Sequence, residues 1–271
     1  MRIMWPIPTI SSRIALLFEA RFANFLAVLI AILALCLRLY GVDWDQGNFY
    51  HPDERSIYMR VNCMYETLMA APGWQYCINA DYPTHHPGFP SLGTFFDKGH
   101  SPLNPHWFPL GSILLYALLG IRAILGVFMD SVSLHDLALA GRSITAIVDT
   151  ASILLIYALG RRVYGTIAGL LAALLCSLAV INIQLAHFYR PEPFLVLLAL
   201  GSFWFMLNTI TFNRWRDHLM LGAVIGLSFS VKASSAQLLA PLAITYGLLL
   251  WQGRISNRSF ISTLTLSLIH I

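Results

Sequence analysis

The feature that most constrains this chain is a series of long apolar runs that recur along almost its whole length. Several approach the roughly 20 apolar residues that a helix needs to cross a bilayer. Charged residues make up only 11% of the chain, whereas about 25% is usual in soluble domains. The sequence therefore predicts an all-α, polytopic transmembrane protein. The runs span residues 22–40, 107–128, 137–159, 167–186, 194–210, 219–231 and 236–251.

The distribution of arginines indicates which runs cross the membrane. Short loops rich in Lys and Arg usually face the cytoplasm. If all seven runs cross from an internal N-terminus, three arginine pairs lie outside, but all three move inside if residues 107–128 do not cross. We therefore predict six spans, with residues 107–128 lying along the surface or dipping in; an ordinary seventh span is the alternative. The pairs are Arg161/Arg162, Arg214/Arg216 and Arg254/Arg258.

Residues 22–40 also resemble the apolar part of a signal peptide. No small-x-small cleavage site follows them, so we interpret this run as an uncleaved signal anchor. The net charge of +4 is small and the arginines lie beside apolar runs, so nucleic acid is not an expected partner.

Six spans leave one long extracytoplasmic first loop, residues 41–136, in which prolines favour turns and short juxtamembrane helices. Cys63 and Cys77 lie in this loop and close about 15 residues, and we predict a disulfide between them because this compartment permits one. Cys36 and Cys176 lie in spans and are expected to be inert packing residues. The first two-thirds of the loop also holds seven acidic residues: Asp43, Asp45, Asp53, Glu54, Glu66, Asp81 and Asp97.

Two acidic motifs stand out on the predicted outer side. The first is Asp53-Glu54, shortly after the first span and directly after a proline. The second is Glu192, in a short turn at the depth of the bilayer surface, where an ionisable residue suggests a function or a specific partner. The alternatives are a solvated loop acid with a helix-capping role for the first motif, and a structural ion pair with Arg190 for the second.

Three further charged residues lie at or inside the spans. Lys232 stands among small residues at the outer end of the fifth span, where it either leaves room for an anionic group or extends to the interface. Arg142 and Asp149 are seven positions apart in one span, and we expect them to pair with each other as structural residues.

The ordered motifs resemble the GT-C glycosyltransferases that use lipid-linked sugars, in particular the bacterial dolichyl-phosphate-mannose protein mannosyltransferase-like group and the aminoarabinose transferase of lipid A. The resemblance extends over about residues 25–252. A first span followed by Pro-Asp-Glu carries it, together with Asn104-Pro105-His106-Trp107-Phe108-Pro109-Leu110-Gly111-Ser112, Gly141-Arg142-Ser143, Leu159-Gly160-Arg161-Arg162-Val163-Tyr164-Gly165, Arg190-Pro191-Glu192 and Lys232-Ala233-Ser234.

This resemblance implies a sugar donor on a polyprenyl phosphate and an extracytoplasmic acceptor, which is a protein, a lipid or a polysaccharide. Asp53 is then the expected general base, with the neighbouring Glu54 as a further catalytic residue. Glu192 corresponds to the second acid, which orients the base, holds the acceptor or shares a divalent metal ion with Asp53. Arg190 and Lys232 are expected to bind the lipid phosphate. His85 and His86 are candidate metal ligands from their residue type, with an ordinary surface pair in a proline-rich loop as the alternative.

Two other classes remain as alternatives: a membrane transporter and a structural subunit of a membrane complex. A transporter needs polar residues at the midplane and commonly an internal repeat, but the runs contain few such residues and we see no repeat. We expect a bacterial plasma-membrane protein with its site on the extracytoplasmic side.

The chain end carries a separate expectation. Residues 266–271 match one reading frame of a common sequencing adaptor, so we expect them to be adaptor-derived and the chain to be a truncated, inactive N-terminal module.

Overall fold

The computed structural model describes residues 10–69, 88, 91–97, 99, 101–105 and 109–255, with side chains from residue 21 onwards. All regular structure in these residues is helical, which confirms the predicted all-α polytopic fold. The elements are α1 (Ile10–Leu39), α2 (Pro52–Leu68), α3 (Leu92–Phe96), α4 (Ile113–Phe128), α5 (Leu134–Tyr164), α6 (Thr166–Leu178), α7 (Val180–Ala186), α8 (Pro191–Phe212), α9 (Trp215–Val231), a 3₁₀ helix (Ala233–Leu238) and α10 (Leu239–Trp251).

Four helical segments are long and apolar enough to cross a membrane: Arg21–Leu39, Leu134–Tyr164, Pro191–Phe212 and Ala233–Trp251. A fifth crossing is formed if α6 and α7, which meet at a bend of 60°, act as one broken span. α9 has 17 residues and falls just below this length. It nevertheless runs from the arginine-rich end of α8 to Lys232, which lies beside the start of α8. This path agrees with six spans, and their number remains a prediction.

α4 has both of its ends at the same end of the bundle. Just before it, the Gly111 N–H donates to the Val231 carbonyl at the close of α9. Just after it, α5 begins where His135 lies 3.5 Å from Asp43 of the first loop. The 16 residues of α4 span about 24 Å, which is less than the roughly 30 Å core of a bilayer. This course agrees with a helix that does not cross.

An apolar core joins this end of the bundle to the spans beneath it. It combines one face of α2, one face of α4 and the start of α5 with a loop tyrosine. Its buried members are Ile57, Tyr58, Val61, Leu114, Leu115, Leu118, Leu137, Ala138, Tyr189 and Val231. The core therefore fixes α2 and α4 on the bundle and places the N-terminus of α2 beside that of α8.

The structure corrects the predicted pairing of Arg142 with Asp149. Asp149 instead accepts a hydrogen bond from Arg38 of α1, whereas Arg142 pairs with residues of the first loop and α2. The two side chains share a face of α5, but they lie at different depths and meet different neighbouring elements. Arg38 also donates to the carbonyl of Ser177 at 3.2 Å, beside the bend between α6 and α7.

Candidate active site

Two helices begin in the same way and meet at one end of the bundle. α2 has His51 as its N-cap, followed by a proline and Asp53, and α8 has Arg190 as its N-cap, followed by a proline and Glu192. Proline suits the first helical position because its missing N–H has no partner there. A carboxylate in the first turn interacts favourably with the positive end of the helix dipole. The sequence thus places two carboxylates at two converging helix N-termini.

Arg190 joins these two helix starts. Its Nη1 donates to Nε2 of His51 at 3.0 Å, which requires the neutral tautomer with its hydrogen on Nδ1. Its guanidinium lies 3.2 Å from the Glu192 carboxylate and 3.8 Å from that of Asp53. Lys232 contacts the same Glu192 carboxylate, at 3.2 Å. We call His51, Asp53, Arg190, Glu192 and Lys232 the outer cluster.

The two carboxylates of the outer cluster are held differently. Glu192 contacts two cations and its side chain is 29% exposed. The side chain of Asp53 is 53% exposed, and its one ion pair, at 3.8 Å, is too long for a hydrogen bond. Asp53 is therefore the carboxylate of this cluster that is open to an incoming molecule.

A second group of charges lies directly beneath, fully buried. Arg142 of α5 donates from Nε and Nη2 to both oxygens of Glu54, at 2.9 and 2.8 Å. It also donates from Nη1 and Nη2 to both oxygens of Asp45, at 2.8 and 2.7 Å. All three side chains are inaccessible to solvent. We call Asp45, Glu54, Tyr58 and Arg142 the inner cluster.

Glu54 is the centre of this inner cluster. Its Oε1 also accepts hydrogen bonds from the Tyr58 hydroxyl at 2.7 Å and from the Tyr189 backbone N–H at 2.9 Å. Burial, reinforced by the adjacent Glu54 carboxylate, raises the pKa of Tyr58 well above its usual range, so this hydroxyl stays a donor. The Glu54 carboxylate thus ties α2 to α5 and to the turn before α8. It is enclosed, and we assign it to positioning rather than to the catalytic role expected from the sequence.

Asp45 ties the first loop to the same arginine. The hydrogen bonds from Arg142 hold the pKa of Asp45 below its usual value, with help from two backbone N–H donors. These donors belong to Gly47 and Phe49, at 3.2 and 3.1 Å. Asp45 is therefore a structural residue and not an ordinary solvated loop carboxylate.

Two glycines allow neighbouring segments to approach each other closely around the site. A Cβ at Gly111 would lie 1.8 Å from the Ser230 carbonyl oxygen, so only glycine lets the segment before α4 meet the chain just before Lys232. A Cβ at Gly141 would lie 3.1 Å from the Tyr189 ring, which packs against α5 there. The hydroxyl of Tyr189 donates to the Leu114 carbonyl at 2.9 Å. These contacts fix the two turns that carry Lys232 and Arg190.

The arrangement gives no support for a metal shared by Asp53 and Glu192. Arg190 lies between the two carboxylates, where it would repel a divalent cation. Within the described ranges no three His, Cys, Asp or Glu side chains come together as metal ligands. His85 and His86 lie outside the described residues, and their expected role stays a prediction.

The structure describes three of the four cysteines. Cys63 is disulfide-bonded, and Cys36 and Cys176 are free thiols. Cys77, the predicted partner of Cys63, lies outside the described residues, as do residues 266–271.

The structure brings together Asp53, Arg190, Glu192 and Lys232, all four of which the sequence singled out. It adds His51, and it shows that Asp45 and Tyr189 support the site. The signal that separates Glu54 from Asp53 is present in the sequence: Glu54, Ile57, Tyr58, Val61 and Met64 repeat at helical spacing, and all are buried. Asp45 and His51 carry no such local signal, because their partners come from distant parts of the chain.

Residues 116–271 match the family model of dolichyl-phosphate-mannose-protein mannosyltransferases. The chain belongs to this family. The matched segment covers more than half of the chain and includes α5, α8 and the turn with Lys232. The family assignment confirms the resemblance to GT-C glycosyltransferases and makes the chain an integral membrane glycosyltransferase in general terms. Comparison with curated proteins gives no match to the chain.

Proposed function

We propose that this chain is the catalytic module of a protein that transfers a sugar from a polyprenyl phosphate to an extracytoplasmic acceptor, with Asp53 as the general base. The observation that carries the proposal is the outer cluster: one open carboxylate lies beside two cations at the meeting point of two helix N-termini. The acceptor is a protein, a lipid or a polysaccharide that presents a hydroxyl or an amine.

Asp53 is suited to the acceptor. Its carboxylate is half-exposed and no side chain of the described residues donates a hydrogen bond to it. It takes the proton of the acceptor as the acceptor oxygen or nitrogen attacks the anomeric carbon. A positioned base typically contributes about 10²–10⁴-fold to the rate.

Arg190 and Lys232 are suited to the donor. As the bond between the anomeric carbon and the phosphate oxygen breaks, the polyprenyl phosphate leaves with the bonding electrons and gains negative charge. Two cations and two helix N-termini directed at this place stabilise that charge. Glu192 holds both cations at 3.2 Å and thereby orients them. The prenyl tail stays in the bilayer, which requires a site at the membrane interface, and the position of Glu192 in the first turn of the apolar helix α8 is consistent with that requirement.

The arginine distribution supports an extracytoplasmic site in a bacterial plasma membrane. At the end of the bundle opposite Asp53, Arg162 hydrogen-bonds Asn208 and Thr211, and Arg254 hydrogen-bonds the Thr211 carbonyl. Arg214 is the N-cap of α9 and Arg216 lies in its first turn, next to the end of α8. Such a concentration of arginines is typical of the cytoplasmic side.

A donor assay tests the proposal. Membranes that carry the complete gene product are expected to transfer label from a polyprenyl-phosphate sugar and not from a nucleotide sugar. Asp53→Asn should reduce this transfer by 100-fold or more, about 2.7 kcal/mol in barrier. Asp43→Asn is the matched control, since Asp43 is a similarly exposed carboxylate of the same loop, paired with His135. Equal loss in both variants, or transfer from the nucleotide sugar, would overturn the proposal.

A further inference from the structure

A cavity lies at the end of the bundle opposite Asp53. It has a volume of about 670 Å³, within the usual range of ligand sites, and it lies between α1, α5 and α8. Nine residues line it, and none is acidic: Asn24, Tyr157, Ala158, Arg161, Arg162, Trp204, Asn208, Thr211 and Phe212.

The depth of this cavity follows from the geometry of α5. Arg142 of the inner cluster and Arg161 are 19 positions apart in this one helix, which corresponds to about 28 Å. The hydrocarbon core of a bilayer is roughly 30 Å thick. The cavity therefore lies at the opposite membrane interface, at the depth of lipid headgroups.

The two arginines in the cavity are held in place by neutral groups. Arg161 donates from Nη1 to Asn24 Oδ1 at 2.7 Å and to the Tyr157 hydroxyl at 3.1 Å. Arg162 donates to Asn208 Oδ1 at 2.6 Å and to the Thr211 hydroxyl at 3.3 Å. Neither arginine has a carboxylate partner among the residues that the structure describes. Arg142 and Arg190, in contrast, are paired with carboxylates. The cavity therefore keeps two positive charges.

We propose that this cavity binds the headgroup of an anionic phospholipid, with its phosphodiester between Arg161 and Arg162. Guanidinium groups match the geometry of phosphate oxygens, and Arg161 keeps Nε and Nη2 free of acceptors from the described residues. Trp204, whose ring lies 5.0 Å from the Arg162 guanidinium, and Phe212, half-exposed, provide the apolar and aromatic surface that suits the interface.

The charge of the cavity selects the class of lipid. A zwitterionic headgroup would bring its ammonium next to two guanidinium groups, whereas an anionic headgroup such as phosphatidylglycerol would not. Basic pockets between membrane helices favour anionic lipids in this way. The cavity is remote from the outer cluster, so this inference does not depend on the proposed transfer reaction.

Native mass spectrometry of the chain in neutral detergent, titrated with phosphatidylglycerol and separately with phosphatidylcholine, tests the proposal. The wild type is expected to retain phosphatidylglycerol in preference. The double variant Arg161→Gln/Arg162→Gln should lose about 30-fold in apparent affinity, from about 1 kcal/mol for each arginine. Arg214→Gln/Arg216→Gln is the matched control, because it removes the same charge at the same end from residues that do not line the cavity.

Asn24→Asp provides a variant that keeps both arginines and their hydrogen bonds. The new carboxylate accepts hydrogen bonds from the same donors, Tyr157 and Arg161. It also forms an ion pair with Arg161 and so neutralises one of the two positive charges of the cavity. Phosphatidylglycerol binding should fall by about fivefold or more while the thermal stability is unchanged. Unchanged lipid binding in both cavity variants, or equal loss in the control, would refute the site.

Inorganic phosphate distinguishes the two sources of the phosphate group. At millimolar concentration it should leave bound phosphatidylglycerol in place, because the acyl chains add apolar binding that free phosphate lacks. Displacement of the lipid by inorganic phosphate alone would overturn the proposal of a lipid site.

Discussion

Asp53 and Glu54 are consecutive in the sequence and lie in opposite surroundings. Asp53 is half-exposed at the surface of the outer cluster, whereas Glu54 accepts four hydrogen bonds and is fully buried. A helix turns by about 100° per residue, so adjacent side chains face different directions. The comparison shows that two consecutive acidic residues can have different surroundings: the buried member holds three elements together, and the exposed member lies open to the acceptor that we propose.

The same contrast separates the two arginines of these clusters. Arg142 makes bidentate contacts with two buried carboxylates, and one positive charge there faces two negative charges. Arg190 is partly exposed and faces carboxylates that solvent also reaches. The inner cluster is therefore expected to dominate stability and the outer cluster to dominate activity.

Arg142→Gln should give the largest effect on stability. It leaves Asp45 and Glu54 buried without their cation, which typically costs about 3–5 kcal/mol. Arg190→Gln removes a partly exposed ion pair and should cost less than about 1 kcal/mol. Unfolding of the two variants in detergent micelles measures both values. Similar losses in the two would break the distinction between the clusters.

Tyr58→Phe should have a smaller effect. It removes the hydroxyl that donates to Glu54 at 2.7 Å and keeps the ring in the core. Loss of a hydrogen bond to a charged group costs about 1.5–3 kcal/mol. Thermal unfolding measures the change, and Tyr50→Phe, at an exposed ring, is the control with no expected shift. Unchanged thermal unfolding in Tyr58→Phe would show that Glu54 does not need this donor.

Acid should weaken the inner cluster through Asp45. Because the pKa of Asp45 is lower in the folded protein than its ordinary value of 3.8, its contribution is fully present above that value. The contribution is lost as the pH falls through the lower, folded pKa. Thermal unfolding as a function of pH below 3.8 should therefore decline more steeply in the wild type than in Asp45→Asn. Equal slopes would contradict this assignment.

Lys232→Gln should change stability least, by less than about 1 kcal/mol, because its ion pair with Glu192 is partly exposed. If Lys232 binds the donor phosphate, the KM for the lipid-linked sugar should rise about tenfold, as for the loss of one charged hydrogen bond. Lys232→Arg keeps the charge and should restore most of the affinity. Steady-state kinetics in membranes with varied donor concentration measures both, and an unchanged KM would remove Lys232 from the donor site.

The sequence is informative about the fold for a simple physical reason. Apolar runs of bilayer length have few folding options, so an all-α membrane protein could be predicted, together with the short α4 segment. The four charged residues of the outer cluster could be singled out because prolines and an interfacial position mark them. The partner of Arg142 could not be predicted, since Asp45 and Asp149 are both compatible with its helical face and only the path of the first loop decides between them.

The most direct test of the account measures turnover and stability together for Asp53→Asn and Glu54→Gln. Each variant removes one negative charge from one of two adjacent positions. They therefore differ chiefly in the cluster that loses the charge: the outer cluster in Asp53→Asn and the inner cluster in Glu54→Gln. The account predicts that Asp53→Asn loses at least 100-fold in turnover at saturating donor with unchanged unfolding. Glu54→Gln should lose about 1.5–3 kcal/mol of stability and keep far more of the turnover per folded molecule. Near-normal turnover in Asp53→Asn, or the reverse pattern between the two variants, would contradict the division between an open base and a buried support.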